Sequence, residues 1–433
     1  MQKITRGAGL SRLLWKVLCL IPMCYWFNWI PSAMAADTIS TLVPADYIPP
    51  PDILIPKPDA ITPYVGAGIS YDSNVLRLRD TAAANAMGVG GLSDTVRHVE
   101  FGLSLDQMFS RQHLTANVNV MQNNYDRFSE LNHLDKNASV NWNWFAGEHV
   151  EGNVGANYSQ GLTPFIDFHL LAPNIRSVAS EYANASWLFD PSWRVRGGLT
   201  HTHLWYDLVS QQPGNNTQNQ EELGLDYLGS TGSTFGLQAR HIRADFPIAA
   251  QVSGGAVLNG YDQNELKAKV DWIVTGKTRL HFLGGLVRRK QDQIAARDFS
   301  GMNNRLAMDW SPTGKIDVSG AIYREIGAVD ELSTIYSLNR GATLAANWKY
   351  SAKINLIAQI NYVKRDFSQS TAGGAFADPT AQNDVLRNEG LTLVYNPTDK
   401  WEVRLSGVRS IQTANISGGY TSNAVYLNTR YAF

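Results

Sequence analysis

Few residues in this 433-residue chain are placed to do bond-making chemistry. His201 and His203 are the one close pair among nine histidines. Two strand residues spaced by two share a face and could grip a metal ion, but no carboxylate or third histidine accompanies them, so no metal site is expected. No Ser, His and Asp spacing assembles a nucleophile with its base, and no glycine-rich phosphate loop opens a helix. The chain therefore reads as a non-enzyme without a cofactor. What it carries in number is amide and charged side chains at alternate positions. These are Asn117, Asn119, Asn141, Asn143, Asn153, Asn157, Arg194, Arg196, Arg240, Lys267, Lys269, Asp271, Arg305, Asp309, Arg404 and Arg430. Each amide offers two donors and an acceptor, a match for sugar hydroxyls. The mixed charges suit a hydrated wall.

Alternation at period two means strands, and the partners of the polar set are apolar. Val99, Phe101, Leu103 and Leu105 alternate with Glu100, Gly102, Ser104 and Asp106, and Leu114, Ala116, Val118 and Val120 with Thr115, Asn117 and Asn119. The dyad continues to the end, where Val425, Leu427, Thr429, Tyr431 and Phe433 alternate with Asn428 and Arg430. Strands are expected to begin near Thr62, Val96, His113, Lys136, Val150, Ser177, Trp193, Asn219, Thr234, Asp262, Thr278, Met302, Lys315, Leu338, Lys353, Val385, Trp401 and Gly419. That makes eighteen, or sixteen if the weakest hairpin is not one.

The connections alternate between short turns, such as Asp190-Pro191-Ser192 and Thr275-Gly276-Lys277, and long polar loops. The long ones include 161–176, 207–218, 246–260 and 368–384. Short turns at one end and long loops at the other are the layout of an all-β, single transmembrane antiparallel up-and-down β-barrel in a bacterial outer membrane. Trp144, Trp187, Trp193, Trp272, Trp310, Trp348 and Trp401 sit beside short turns, and with Tyr431 and Phe433 they form a candidate aromatic girdle at the membrane interface. A weak repeat runs through Phe189-Asp190-Pro191-Ser192-Trp193, Trp310-Ser311-Pro312-Thr313-Gly314-Lys315-Ile316 and Tyr395-Asn396-Pro397-Thr398-Asp399-Lys400-Trp401.

Composition agrees with this class. Charged residues are 17% of the chain, below the usual quarter, so much of the exterior need not face water. Residues 1–35 read as a signal peptide: basic Lys3, Arg6, Arg12 and Lys16, an apolar core from Val17 to Ile30, then Ala33-Met34-Ala35 for cleavage. The apolar run of about 14 residues is short of the roughly 20 needed for a membrane anchor. Both cysteines, Cys19 and Cys24, lie in this removed segment, so disulfides and thiolate sites are excluded. Removal turns 37 basic against 38 acidic residues into 33 against 38, a net charge near −5, which gives no support to a nucleic-acid partner. Residues 36–61 carry Pro44, Pro49, Pro50, Pro51, Pro56 and Pro58 and read as an extended periplasmic lead-in. The barrel then occupies 62–433. Expected partners are outer-membrane lipid, lipopolysaccharide and the insertion machinery, which would read the last strand. Arg430, as a lumen group, is expected to tune conductance and leave assembly intact when changed to Gln.

The stretch Tyr71-Asp72-Ser73-Asn74-Val75-Leu76-Arg77 resembles the opening motif of the β-barrel porin family that includes EpsL-type exopolysaccharide-biosynthesis outer-membrane proteins. The aromatic-x-Pro-Ser/Thr turns and the closing Tyr-Ala-Phe are similar to that family too, over about 62–433. The resemblance implies a barrel working with polysaccharide and its biosynthesis and export proteins, as a conduit for the polymer. The reading from residues alone leaves a general or substrate-selective porin open as the alternative.

Overall fold

A computed structural model describes residues 60–166, 170–252, 255–328, 336–367, 383–415 and 418–433. The expected signal peptide, nearly all of the proline-rich lead-in and the loop at 368–382 lie outside them. Eighteen strands form one antiparallel sheet. They are β1 (Ala60–Asp72), β2 (Asp94–Phe109), β3 (Gln112–Tyr125), β4 (His133–Ala146), β5 (Val150–Leu162), β6 (Ile175–Asp190), β7 (Trp193–Tyr206), β8 (Asn216–Leu228) and β9 (Thr234–Asp245). After them come β10 (Tyr261–Thr275), β11 (Thr278–Gln291), β12 (Phe299–Thr313), β13 (Ile316–Ala328), β14 (Tyr336–Lys349), β15 (Ile354–Phe367), β16 (Asn383–Thr398), β17 (Trp401–Ala414) and β18 (Tyr420–Ala432). Each pairs with the next, and β18 pairs with β1 from Tyr64↔Ala432 to Asp72↔Ala424. The sheet is thus a closed barrel without an edge, which satisfies every strand's backbone groups where no water can.

The dyad sorts the two faces. Outward positions are large, apolar and exposed: Leu223 at 63%, Leu286 at 63% and Ile322 at 59% of their full accessibility. Left in water, each such side chain would forfeit about 1.5–3 kcal/mol, so this exterior is a surface for hydrocarbon. On β10 the outward run from Leu266 to Val274 is about nine residues long, enough for a tilted strand to cross a bilayer. Inward positions carry the buried polar residues, among them Asn153, Arg196, Glu222, Arg240 and Glu265. An apolar exterior around a polar interior is the arrangement of a transmembrane barrel.

At one end the strands join through two to five residues, as at Ser110-Arg111, where Ser110 takes a positive φ of 57°. The repeated Pro turns have a physical reason. The register shifts at Trp310/Thr313 and Tyr395/Thr398, around Pro312 and Pro397, and such bulges admit residues that cannot donate to a ladder, while Pro191 sits in the turn itself. Each of two prolines also receives a lysine from the neighbouring turn: Lys277 Nζ donates to Pro312 O at 3.1 Å and Lys353 Nζ to Pro397 O at 2.8 Å. Beside these turns Trp187, Trp193, Trp272, Trp310, Trp348, Trp401, Tyr431 and Phe433 stand exposed on the outer face, while Trp144 is half-buried.

The long loops at the other end hold the structure's hydrophobic core. Residues 73–93 include a six-residue helix, Thr81–Ala86, which period-two patterning did not reveal. Asp80 caps it by accepting from Ala83 N–H at 2.8 Å, and that bond, with Arg79 beside it, holds the Asp80 carboxyl below the usual carboxylate range. Leu76, Leu78, Ala84, Phe128, Leu131 and Phe165 pack together, so three loops, β1–β2, β3–β4 and β5–β6, fold as one body.

Candidate functional site: the inner wall and the loop across it

The alternation Trp193-Arg194-Val195-Arg196 aims both arginines inward, and the register brings acids opposite them. Arg194 Nη2 lies 2.9 Å from Asp226 Oδ2, and Arg196 Nε lies 3.1 Å from both Asp226 oxygens. Arg196 Nη1 reaches Glu222 at 2.5 Å, and Gln238 Nε2 donates to the same carboxylate at 2.7 Å. On the next two strands Arg240 and Lys267 share Glu265, at 2.5 and 3.0 Å. Gln263 also donates to Glu265 at 2.5 Å, and Arg289 donates to Gln263 at 2.7 Å while lying 3.9 Å over the Tyr261 ring. A ladder of charged side chains, bridged by Gln238 and Gln263, therefore runs from β7 to β11.

This ladder revises the role of several sequence candidates. The mixed charges suggested a hydrated wall. Asn153, Arg196, Arg240, Lys267 and Arg404 are instead buried, each under 9% exposed. They lie along the wall and satisfy one another sideways, because a buried charge needs a hydrogen-bonded partner. Arg194, Lys269, Asp271, Arg305 and Asp309 keep more solvent contact. Arg305 binds Glu325 at 2.6 Å, and His281 bridges Asp271 and Asp309 at 2.6 and 3.1 Å. The asparagines bond locally. Asn117 donates to Ser104 at 2.6 Å, Asn119 to Glu100 at 3.0 Å, and Asn141 accepts from the Tyr182 hydroxyl at 2.9 Å. Asn153 accepts from Asn184, Asn143 stands opposite Asn153, and Asn157 opposite Ser139.

Arg430 has a structural duty that the sequence did not reveal. It grips both oxygens of Glu100, at 2.8 and 2.9 Å, across the intervening strand β1, and lies 4.6 Å over the Tyr64 ring. The two can meet because Gly66 stands between them, opposite Arg430 on one side and Glu100 on the other. Any Cβ at Gly66 would collide with the Glu100 side chain. This pair staples the seam where the barrel closes.

The β5–β6 loop is closed at its base by Thr163 N–H donating to Asn174 O at 2.8 Å. Phe165 belongs to the loop body, but Ile166, only 2% exposed, packs against Val363, Leu386 and Tyr420, with Tyr323 beside them. Those four sit on the inward faces of β15, β16, β18 and β13, far round the barrel from β5. The loop therefore reaches across the mouth to the far wall. There Tyr323 lies flat over Gly341, where a Cβ would strike the ring, and Arg305 stacks on the other side of it at 4.6 Å. Arg365 binds Asp384 at 2.5 Å, and Gln412 shares that carboxylate at 2.6 Å. Amides, guanidinium groups and tyrosine rings thus surround the stretch of inner wall on which Ile166 rests.

The opening motif around Asp72 holds this assembly in place. Asn74 Nδ2 donates to Leu78 O at 2.6 Å and Thr421 O at 3.2 Å, while Leu78 N–H donates to Asn74 Oδ1 at 3.0 Å. Arg77 reaches Asp72 at 2.7 Å from a backbone with φ of 54°. The motif ties the loop body to β18. His201 and His203 point outward, with His201 2.7 Å from Asn219, and no group of three metal-binding side chains occurs among the described residues. No described helix is long and apolar enough to cross a membrane.

No known family model matches the sequence, and no curated protein matches it. Among solved structures the chain is similar to OpdO of Pseudomonas aeruginosa, at 12% identity over 86% of this chain and 97% of that one, with a TM-score of 0.46. It is also similar to OccK9 (OpdG) of the same organism, at 12% identity, 86% and 98% coverage and a TM-score of 0.45. The siderophore receptor PirA of Pseudomonas aeruginosa matches at 11% identity, 87% and 81% coverage, with a TM-score of 0.41. Likeness at this level says nothing about what the chain carries.

Proposed function

We propose that the protein is an outer-membrane channel for small polar solutes, with saccharides as the favoured class. The observation that carries this reading is the loop crossing at Ile166, set in a polar wall inside an apolar exterior. A passage narrowed on one side by a seated loop, and bordered by tyrosine faces, amides and guanidinium groups, sorts small hydrated molecules by size and hydrogen bonding. In this reading the barrel transports and does not catalyse. Purified protein in liposomes tests it: swelling in mono- and disaccharide solutions is expected, and protein-bearing liposomes that swell no faster than empty ones would sink it.

Export of an exopolysaccharide, with its synthesis proteins as partners, is the second reading. The motif at 71–77 favours it, since that stretch resembles the exopolysaccharide-associated family. A deletion strain that secretes normal amounts of polysaccharide would remove this reading and leave the first intact.

A further inference from the structure

The outer face carries a charge pattern that transport does not use. Above the apolar belt, on the loop side, Arg324 of β13 stands opposite Arg340 of β14, and Arg340 opposite Lys364 of β15. All three point outward, directly above Ile322, Ala342 and Tyr362, which pair in the same way one dyad lower. Like charges set opposite one another on neighbouring strands are destabilising. Among the described residues Asp366 offsets them, 3.5 Å from Arg340 and 3.6 Å from Lys364, while Arg324 donates to the Met302 carbonyl. The row keeps a net charge of about +2, and Arg340 and Lys364 are 52% and 42% exposed. Elsewhere round the barrel the outward polar positions include the acids Glu181 and Glu221, paired with His201 and His241.

We infer that Arg324, Arg340 and Lys364 form a docking site for the phosphorylated saccharide headgroup of a lipopolysaccharide, with its acyl chains along Ile322, Ala342 and Tyr362. The inference rests on the outer-membrane placement proposed above. Cations at the edge of a hydrocarbon belt attract lipid phosphates, and three side by side span about 10 Å at strand spacing. A headgroup with more than one phosphate covers that span; a single glycerophosphate does not. Guanidinium groups bind phosphate oxygens in pairs, which adds geometry to charge.

The test uses full-length protein refolded from inclusion bodies into detergent, free of cell lipid. It is titrated with deep-rough lipopolysaccharide, the same lipid after dephosphorylation, and phosphatidylglycerol. The wild-type chain is expected to bind the phosphorylated lipid best. Substituting Arg324→Gln, Arg340→Gln and Lys364→Gln together should weaken binding about fivefold per cation, on the order of 100-fold in all. Arg324→Lys with Arg340→Lys keeps the charge but loses the paired contacts, so its binding should fall between wild type and the triple variant, while Lys136→Gln on β4 should stay at wild type. Equal binding by the triple variant, by the dephosphorylated lipid, or by phosphatidylglycerol would overturn the assignment. If the triple variant does not refold, the two comparison lipids on the wild-type chain still decide. A failure of the outer-membrane reading would show separately, as protein missing from the outer-membrane fraction.

Discussion

Asp226 is where the inner ladder can be broken most cleanly. Its carboxylate is fully buried and accepts from Arg194 at 2.9 Å and Arg196 at 3.1 Å. Asp226→Asn keeps the volume but removes the charge and sets an amide N–H against guanidinium donors. Breaking a buried ion pair by removing one partner costs about 3–5 kcal/mol. Arg196 keeps Glu222 at 2.5 Å, and Arg194, with a quarter of its side chain exposed, can rehydrate and lean toward Glu151 at 3.6 Å. The low end, about 3 kcal/mol, is therefore expected. Reversible denaturant unfolding in lipid vesicles, followed by the mobility of folded and unfolded forms on gels, measures it. Asp309→Asn is the control, since that carboxylate is 44% exposed and should cost no more than about 1 kcal/mol. If Asp226→Asn unfolds within about 1 kcal/mol of wild type, the ladder does not hold the wall as described.

The closing seam makes a second prediction. Arg430→Gln should destabilise the barrel by roughly 1–3 kcal/mol, because Glu100 is left buried without its cation, and slowed gel-monitored folding reports it. Gly66→Val should do the same with both charges intact, by wedging them apart; normal folding of both variants would remove the staple. In the loop body, Asn74→Ala deletes three hydrogen bonds from a side chain that is 2% exposed. Cleavage by protease between residues 73 and 93 is then expected while the strands stay protected, and unchanged resistance would mean the motif is not the anchor.

The strands were legible because each has one face in lipid and one face away from it, so polarity alternates wherever the chain crosses. Trp193-Arg194-Val195-Arg196 announces both its facing and its period, and the observed start at Trp193 coincides with the expected one. The most displaced starts, such as Asn216 against Asn219, differ by one turn's worth of polar residues that can join either strand or loop. Six of the seven tryptophans picked out beside short turns stand exposed on the outer face, and Trp144 is half-buried. What the sequence concealed depends on register and on distance along the chain. Arg430 and Glu100 are far apart in sequence and meet only because Gly66 separates them after closure. Ile166 is one of several apolar residues between Thr163 and Asn174, and nothing local says that it, and not a neighbour such as Phe165, will rest on Val363 and Leu386. The helix at Thr81–Ala86 is too short to display a period, and its one local mark is Asp80, which caps the N–H of Ala83 three residues on. The sideways pairing of the inward charges was not legible either, because Arg and Lys lie along the wall to reach acids that only the register brings one strand away.

Single-channel recording in a planar bilayer, comparing the wild-type chain with Ile166→Ala, tests the loop crossing most directly. Losing the buried side chain weakens the loop's seat by about 2–5 kcal/mol, so the account predicts a small wild-type conductance and frequent steps to a larger one in the variant. Identical conductance and stepping in the two proteins would contradict it.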